Sequence, residues 1–146
     1  MTLPVAERSL RLGLVGAGFI GGLYRHALKQ VYGAEIVAVA SPNRAQAFAQ
    51  RHHLEHHYAD YRTMIAEAGI DAVLIATPNN LHAEICIAAA DAGKHVFCDK
   101  PLAIGLAEAD AMIAACDHAG VTLMYAENLL FAPMYERLRD LVKAGN

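Results

Sequence analysis

A lysine beside an acid is the first candidate for chemistry in this sequence, where Asp99-Lys100-Pro101 follows the apolar run Val96-Phe97-Cys98. A lysine that is partly desolvated in a cleft can exchange protons near neutral pH. Such a group would assist hydride transfer, because oxidation of an alcohol also removes its hydroxyl proton. On spacing alone, however, Asp-Lys-Pro is better explained as a surface turn, because adjacent strand residues point to opposite faces of a sheet. A catalytic role for Lys100 therefore depends on the rest of the chain.

A glycine-rich turn supplies the second candidate, a site for a dinucleotide. The segment Gly16-Ala17-Gly18-Phe19-Ile20-Gly21 matches the pattern G-x-G-x-x-G and lies between an apolar run and a helical pattern. Gly16 permits the tight turn, Gly18 lets the backbone approach a pyrophosphate, and Gly21 lets the helix pack close to the strand. The unpaired N–H groups at the helix N-terminus favour such an anion. The alternative interpretation is a turn that only serves packing.

The residues after the second predicted strand indicate which dinucleotide would bind. An acid at this position usually holds the ribose of NAD, whereas an arginine accommodates the 2′-phosphate of NADP. No acid lies between Glu35 and Glu55, and Ser41 and Arg44 occupy the region instead, with Pro42 predicted at the first helical position. This arrangement favours NADP over NAD. The alternative is that Ser41 only caps the helix and Arg44 belongs to a solvated face.

Two further polar segments follow predicted strands, and the carboxyl ends of strands are where open α/β sheets bind ligands. The first is Thr77-Pro78-Asn79-Asn80-Leu81-His82, and the second contains Asn128. An ordinary helix-capping loop would explain Asn79 well but His82 less well. We therefore favour a ligand-binding role for the first segment.

Four histidines lie close together at positions 52, 53, 56 and 57. No cysteine or aspartate lies near them to complete a ligand set, and the segment is predicted to be a connection after a helix. We therefore predict no functional metal site.

Composition narrows the class of protein. The 146 residues suit one domain, which we place at residues 9–146 after a loose leader of residues 1–8. A net charge of −3 argues against a nucleic-acid partner, and no apolar segment is long enough for a membrane. The three cysteines, at positions 86, 98 and 116, lack metal-type spacing and are predicted to be buried hydrophobes in a cytoplasmic protein.

The elements that must position these residues alternate between strand and helix. The predicted strands are mostly continuous apolar runs, which is typical of a parallel sheet that is covered on both faces. We therefore predict the α/β class, a doubly wound parallel sheet. The predicted strands cover residues 12–15, 35–40, 71–76, 94–99 and 121–125, and helical patterns follow each of them.

Together, the glycine turn, Thr77–His82, Gly93–Pro101 and Asn128 resemble, in this order, the N-terminal half of the glucose–fructose oxidoreductase / inositol dehydrogenase / MocA family. That half is a Rossmann NAD(P)-binding domain. The resemblance implies that Phe19 and Ile20 offer backbone to the pyrophosphate and that Ser41 and Arg44 contact the adenosine ribose or its phosphate. It also implies that residues 77–82 line the nicotinamide side, that Asp99 replaces the family's usual glutamate beside the nicotinamide ribose, and that Lys100 is the catalytic lysine.

Family members normally continue into a second domain that carries substrate contacts, whereas this sequence ends at Asn146. We therefore expect the C-terminal substrate domain to be absent, and we expect a cofactor domain that binds NADP or NAD with little turnover. The parent chemistry would be hydride transfer with a sugar, polyol or related carbonyl compound, and a homo-oligomer is compatible with it. The alternatives are a non-catalytic dinucleotide-binding or sensing module and an interaction subunit. A methyltransferase would share the glycine turn but typically has the acid that is missing here.

Overall fold

The protein, described here by a computed structural model over residues 9–145, has one sheet with helices on both faces. In chain order its elements are β1 (Leu10–Val15), α1 (Phe19–Leu28), β2 (Ala34–Ala40), α2 (Ala45–His52), β3 (His56–Tyr58), α3 (Tyr61–Glu67), β4 (Ala72–Ile75), a 3-10 turn (Asn79–Leu81), α4 (His82–Asp91), β5 (His95–Asp99), α5 (Leu106–Ala119), β6 (Leu123–Ala126), a 3-10 turn (Asn128–Phe131) and α6 (Pro133–Lys143). The leader predicted for residues 1–8 lies outside the described residues.

The sheet has the strand order β3-β2-β1-β4-β5-β6, and every neighbouring pair is parallel. β2 and then β3 extend the sheet from one edge of β1, whereas β4, β5 and β6 extend it from the other edge. The order therefore reverses between β1 and β4, which is the point where open α/β sheets bind ligands. The predicted doubly wound parallel fold is confirmed.

Two apolar clusters stabilise the sheet, one on each face. The first packs α3, α4 and α5 against the sheet and includes Ile75, Ile85 and Met112. The second packs α1 and α2 against the other face and includes Leu14 and Phe48. All three cysteines are buried and unbridged, as predicted.

Two helices keep large apolar residues exposed. In α5 the buried residues are Met112 and Cys116, whereas Leu106 and Ile113 are exposed. In α6 the exposed apolar residues are Met134, Leu138, Leu141 and Val142, and α6 packs mainly against the 3-10 turn before it. Part of the sheet likewise remains open on the α1 side of β5 and β6, as an apolar cavity of about 390 Å³.

No helix within residues 9–145 has the length and apolar character needed to cross a membrane.

Candidate functional site

The carboxyl ends of β1, β2 and β4 surround a cavity of about 550 Å³. This is the reversal point of the sheet, and the loops that leave the three strands form its walls. Six of the residues predicted from the sequence line it together: Gly16, Gly18, Ser41, Arg44, Thr77 and Pro78.

The turn between β1 and α1 gives this cavity its floor. Gly16 has a φ of +110°, and its N–H donates to the Ala40 carbonyl oxygen at 2.9 Å. A Cβ atom on Gly16 would overlap the backbone carbonyl of Ala76, and one on Gly21 would overlap the carbonyl oxygen of Gly16. A Cβ on Gly18, by contrast, would meet no atom within 4 Å. Two glycines therefore allow close packing, and Gly18 leaves open space at the start of α1.

The loop after β2 differs from its predicted conformation. Helix α2 begins at Ala45 with Arg44 in the N-cap position and no side-chain cap, so Pro42 is not the first helical residue and Ser41 is not the cap. The reason lies in the sheet, because the Ser41 N–H donates to the Tyr58 carbonyl oxygen at 3.0 Å and continues the β2–β3 pairing. Ser41 and Arg44 nevertheless both face the cavity.

A second groove of about 540 Å³ lies beside the cavity, between α1 and α2, and shares Gly18 and Arg44 with it. Phe19, which is 80% exposed, and the basic residues Arg51 and His52 also line this groove. The pKa of His52 is lowered by burial first, and then by the positive charges of nearby cations, among them Arg25, Lys29 and Arg51. The groove is thus a local cationic region in a chain of negative net charge.

The loop after β4 places its residues at different depths. Thr77 and Pro78 line the cavity, and the buried Oγ1 of Thr77 has no hydrogen-bond partner among residues 9–145. Asn79 is exposed in the following 3-10 turn. His82 is 1% exposed, with Nδ1 2.9 Å from the Pro101 carbonyl oxygen and Nε2 3.0 Å from that of Thr77. Its ring therefore lies beneath the site rather than on its surface.

The end of β5 places Asp99 and Lys100 in different surroundings. Asp99 Oδ1 accepts a hydrogen bond of 3.0 Å from the Tyr24 hydroxyl of α1. Burial raises the Tyr24 pKa, and the hydrogen bond to Asp99 and its negative charge raise it further. Tyr24 also packs edge-on against Phe97, with ring centroids 5.4 Å apart. Lys100 is exposed and precedes Pro101 through a cis peptide bond.

Comparison with known proteins gives this geometry its context. A family model described as "Oxidoreductase family, NAD-binding Rossmann fold" matches residues 10–127. The chain belongs to the Gfo/Idh/MocA oxidoreductase family. The predicted resemblance is thereby confirmed, and the chain is an NAD-binding domain of this family.

Several Gfo/Idh/MocA proteins align with almost the whole chain. It is 34% identical over 138 residues to a myo-inositol 2-dehydrogenase of Thermotoga maritima, covering 93% of this chain and 41% of that protein. It is 38% identical over 135 residues to a D-xylose 1-dehydrogenase (NADP(+)) of Haloferax volcanii, covering 91% of this chain and 42% of that protein. Among solved structures, the WlbA dehydrogenase of Bordetella pertussis in complex with NADH and UDP-GlcNAcA superposes with a TM-score of 0.89. That pair is 30% identical, with 94% of this chain and 43% of the other covered.

The chain spans about two-fifths of the length of the curated Gfo/Idh/MocA relatives that it matches. The family's coenzyme fits the residues present. The space beside Gly18 is open, the start of α1 offers backbone N–H groups that suit a pyrophosphate, and Arg44 lines the same cavity as Ser41.

Three polar residues that were not predicted from the sequence also line the cavity of this Gfo/Idh/MocA domain: Asp60, Tyr61 and Glu84. The Tyr61 hydroxyl donates to Glu84 Oε1 at 3.3 Å, and Asp60 caps α3 by accepting from the Thr63 N–H at 3.1 Å. The position of Asp60 in the sequence could have indicated its role, because it closely follows Tyr58, the last residue of β3. The segment containing β3 was predicted to be a connection, so its carboxyl end was not considered part of the site.

The remaining predicted residues lie outside the main cavity. Ile20 and Gly21 belong to the first turn of α1, and Asn128 is exposed at the start of the second 3-10 turn. The histidine-rich segment contains strand β3, and His53 ends α2 in a left-handed conformation. Among residues 9–145 there is no group of three or more acids, histidines and cysteines placed to hold a metal ion.

Proposed function

We propose that this domain binds its dinucleotide across the reversal point of the sheet, with the pyrophosphate at the start of α1. The observation that carries the proposal is the space above Gly18, which opens into the cavity formed by three strand ends. Phe19 and Ile20, the first residues of α1, contribute backbone N–H groups that α1 does not use, and the helix dipole favours the anion. Thr77, Pro78, Asn79 and Asn128 are proposed to contact the nicotinamide half.

We propose further that NADP is preferred over NAD. Ser41 and Arg44 face the same cavity, and Arg51 and His52 line the adjoining groove. A hydroxyl and a guanidinium are suitable partners for the 2′-phosphate, and the segment between Glu35 and Glu55 lacks the acid that usually holds the ribose of NAD.

Fluorescence titration of the purified chain with NADPH and NADH tests this preference. We expect tighter binding of NADPH, and we expect Arg44→Ala to weaken NADPH binding by about tenfold while NADH binding stays within about twofold. Arg137→Ala, on the exposed surface of α6, is the matched control and should change neither affinity. Equal or tighter binding of NADH by the wild type would overturn the preference.

For a protein that joins this domain to a substrate domain, the proposed activity is reversible hydride transfer between the nicotinamide and a sugar, polyol or related carbonyl compound. The coenzyme supplies the hydride acceptor or donor. Lys100 is proposed to move the hydroxyl proton of the substrate, from an exposed position directly after β5. Asp99 is proposed to contact the nicotinamide ribose, with Tyr24 fixing its carboxylate. This chain alone is expected to bind coenzyme with little or no turnover, because substrate contacts come from outside the domain.

Lys100→Met in a longer parent protein separates an enzyme from a non-catalytic binding or sensing module. Retained coenzyme affinity with collapsed turnover would support the catalytic role. Unchanged turnover would refute it.

The exposed apolar residues of α6 support a second candidate function, an interaction subunit. Met134 is 71% exposed and Leu138 is 54% exposed, although both belong to the apolar pattern of the helix. A separately expressed partner that supplies the substrate half would cover such a face. Size-exclusion chromatography of the chain with and without that partner tests this candidate, and unchanged elution of both would count against it.

A further inference from the structure

One wall of the main cavity is built from polar residues to which the proposed function gives no role. Asp60 and Tyr61 come after β3, and Glu84 lies on the first turn of α4. All three line the cavity, together with Arg44 from the loop after β2. We name Asp60, Tyr61 and Glu84 the acceptor wall, because of the hydrogen-bond roles of their side chains.

The side chains of the acceptor wall can accept hydrogen bonds but have no free proton to donate. The Tyr61 hydroxyl donates its proton to Glu84 Oε1 at 3.3 Å. Burial raises the pKa of Tyr61, and the negative charge of Glu84 raises it further, so the hydroxyl keeps this proton. Carboxylates accept through both oxygens, and a hydroxyl oxygen that donates can still accept. A ligand that lies against this wall must therefore supply the donor.

Contacts with neighbouring residues hold the acceptor wall in place. The hydrogen bond between Tyr61 and Glu84 joins the start of α3 to the start of α4. The Arg62 guanidinium lies 4.5 Å from the centroid of the Tyr61 ring, a cation–π contact. Asp60 Oδ2 accepts from the Thr63 N–H at 3.1 Å and from the Thr63 hydroxyl at 3.2 Å, and Oδ1 can accept from a ligand. Because the acceptors are already ordered, a ligand loses little affinity in fixing them.

Charge and hydrogen bonding together limit which part of a dinucleotide suits this wall. Two carboxylates repel a phosphate, whereas an uncharged group with N–H donors is attracted. The exocyclic amino group of adenine is such a group, with two N–H donors. Apolar side chains that suit the faces of a planar base line the same cavity: Ala59, Leu81 and Ile85.

The sheet order distinguishes the adenine from the other amide-like group of the coenzyme, the nicotinamide carboxamide. The nicotinamide half is proposed to contact Thr77 and Asn79, which follow β4. Asp60 and Tyr61 follow β3, which lies on the other side of β1 in the sheet. With the pyrophosphate at the start of α1, the half of the coenzyme that extends toward β3 is the adenosine half.

We propose that the acceptor wall recognises the adenine base of the coenzyme through its amino group. Glu84 and Asp60 supply the acceptors, and Tyr61 holds Glu84 in position. This inference rests on the proposed binding of a dinucleotide in the cavity. It adds a selection against any base that carries a carbonyl oxygen in place of the amino group, because that oxygen would face acceptors.

Coenzyme analogues with hypoxanthine in place of adenine test the acceptor wall. Each analogue replaces the amino group with a carbonyl oxygen and keeps the fluorescent reduced nicotinamide. In fluorescence titrations of the purified chain, we expect NADPH or NADH to bind about tenfold more tightly than its analogue. Equal affinities would overturn the inference and leave the proposed coenzyme site intact.

Two variants assign the preference to the wall. Glu84→Gln keeps the shape of the side chain but adds an amide donor, so the preference for adenine should fall to about threefold or less. Asp60→Asn makes the same change at the second carboxylate, and asparagine also caps a helix well, so α3 should persist. Glu136→Gln, on the exposed first turn of α6, is the matched control and should keep the wild-type preference. A preference that is unchanged in both wall variants would overturn the assignment.

Coenzyme fragments separate recognition of the base from a general distortion of the cavity. ADP should displace the reduced coenzyme from the wild type more effectively than inosine diphosphate does, and Glu84→Gln should lose this difference. Reduced nicotinamide mononucleotide has no purine base, so it should bind equally to the wild type and to Glu84→Gln. Weaker binding of the mononucleotide by the variant would indicate distortion and contradict the role of Glu84 in recognition.

The outcomes distinguish this inference from the proposed function. A wild type that binds neither NADPH nor NADH refutes both. A wild type that binds them and their hypoxanthine analogues with equal affinity refutes only the recognition of adenine.

Discussion

Three glycines around the β1–α1 turn should respond differently to the same added methyl group. At Gly18, where φ is −97° and the added Cβ meets nothing within 4 Å, folding free energy should change by less than about 0.5 kcal/mol. The methyl group would, however, occupy the space proposed for the pyrophosphate. Hydrogen bonds to a charged group contribute roughly 1.5–3 kcal/mol each, so Gly18→Ala should weaken coenzyme binding by about tenfold or more.

The other two positions are matched controls for packing. Gly22 lies within α1 with open space around it, and alanine is the better helix former, so Gly22→Ala should raise the Tm by about 2–4 °C. Gly16 combines a φ of +110° with overlap against the Ala76 carbonyl. Backbone strain and overpacking together should destabilise Gly16→Ala by about 3 kcal/mol, lowering the Tm by about 10 °C.

Thermal unfolding followed by circular dichroism measures the stability of each variant, and NADPH and NADH fluorescence measures binding. Gly18 is the position at which alanine should weaken coenzyme binding while the Tm stays close to that of the wild type. A Gly18→Ala variant that binds as tightly as the wild type would refute the placement of the pyrophosphate. A Gly16→Ala variant with an unchanged Tm would refute the packing argument.

Three further predictions concern groups around the site. Tyr24→Phe removes the donor to Asp99 and should lower the free energy of unfolding in urea by about 1 kcal/mol, with exposed Tyr32→Phe as a neutral control. Because the folded-state pKa of Tyr24 is raised, the stability of the wild type should fall faster than that of Tyr24→Phe as the pH rises above about 10. Equal slopes of stability against pH would contradict this. Burial raises the pKa of the Cys98 thiol to about 12, and it also raises the pKa of the Cys86 thiol and that of the Cys116 thiol. Iodoacetamide should therefore modify all three thiols only after unfolding, as mass spectrometry would show, and modification of the native chain would contradict their burial. If the exposed apolar face of α6 drives self-association, Leu138→Lys should lower the average mass in sedimentation equilibrium, and an unchanged mass would exclude that face.

Much of the fold was predictable because its parallel strands are continuous apolar runs. β4, for example, is buried at all four positions. β3 was missed because a three-residue strand of His-His-Tyr lacks both apolar content and length. The exposed apolar face of α6 was equally unpredictable, since periodicity shows that a helix has an apolar face but not whether another element covers it.

The cavity residues that come directly after a parallel strand could be predicted from the sequence. Gly16, Ser41 and Thr77 each follow a parallel strand, and parallel strands end at one edge of the sheet. The partner of Asp99 was not predictable, because Tyr24 lies 75 residues away and approaches through the packing of α1. The burial of His82 was not predictable for a similar reason, since one of its two backbone contacts, with Pro101, comes from a distant loop.

The central position of β1 has a consequence for biosynthesis. Leu12 pairs with Ile36 on one side and with Ala72 on the other, so β1 gains its second neighbour only when β4 has been translated. Until then, the nascent chain carries an apolar strand with an open edge, which is a template for association with other chains. Slow translation between β3 and β4 would therefore lengthen the period in which the emerging polypeptide needs protection by a chaperone.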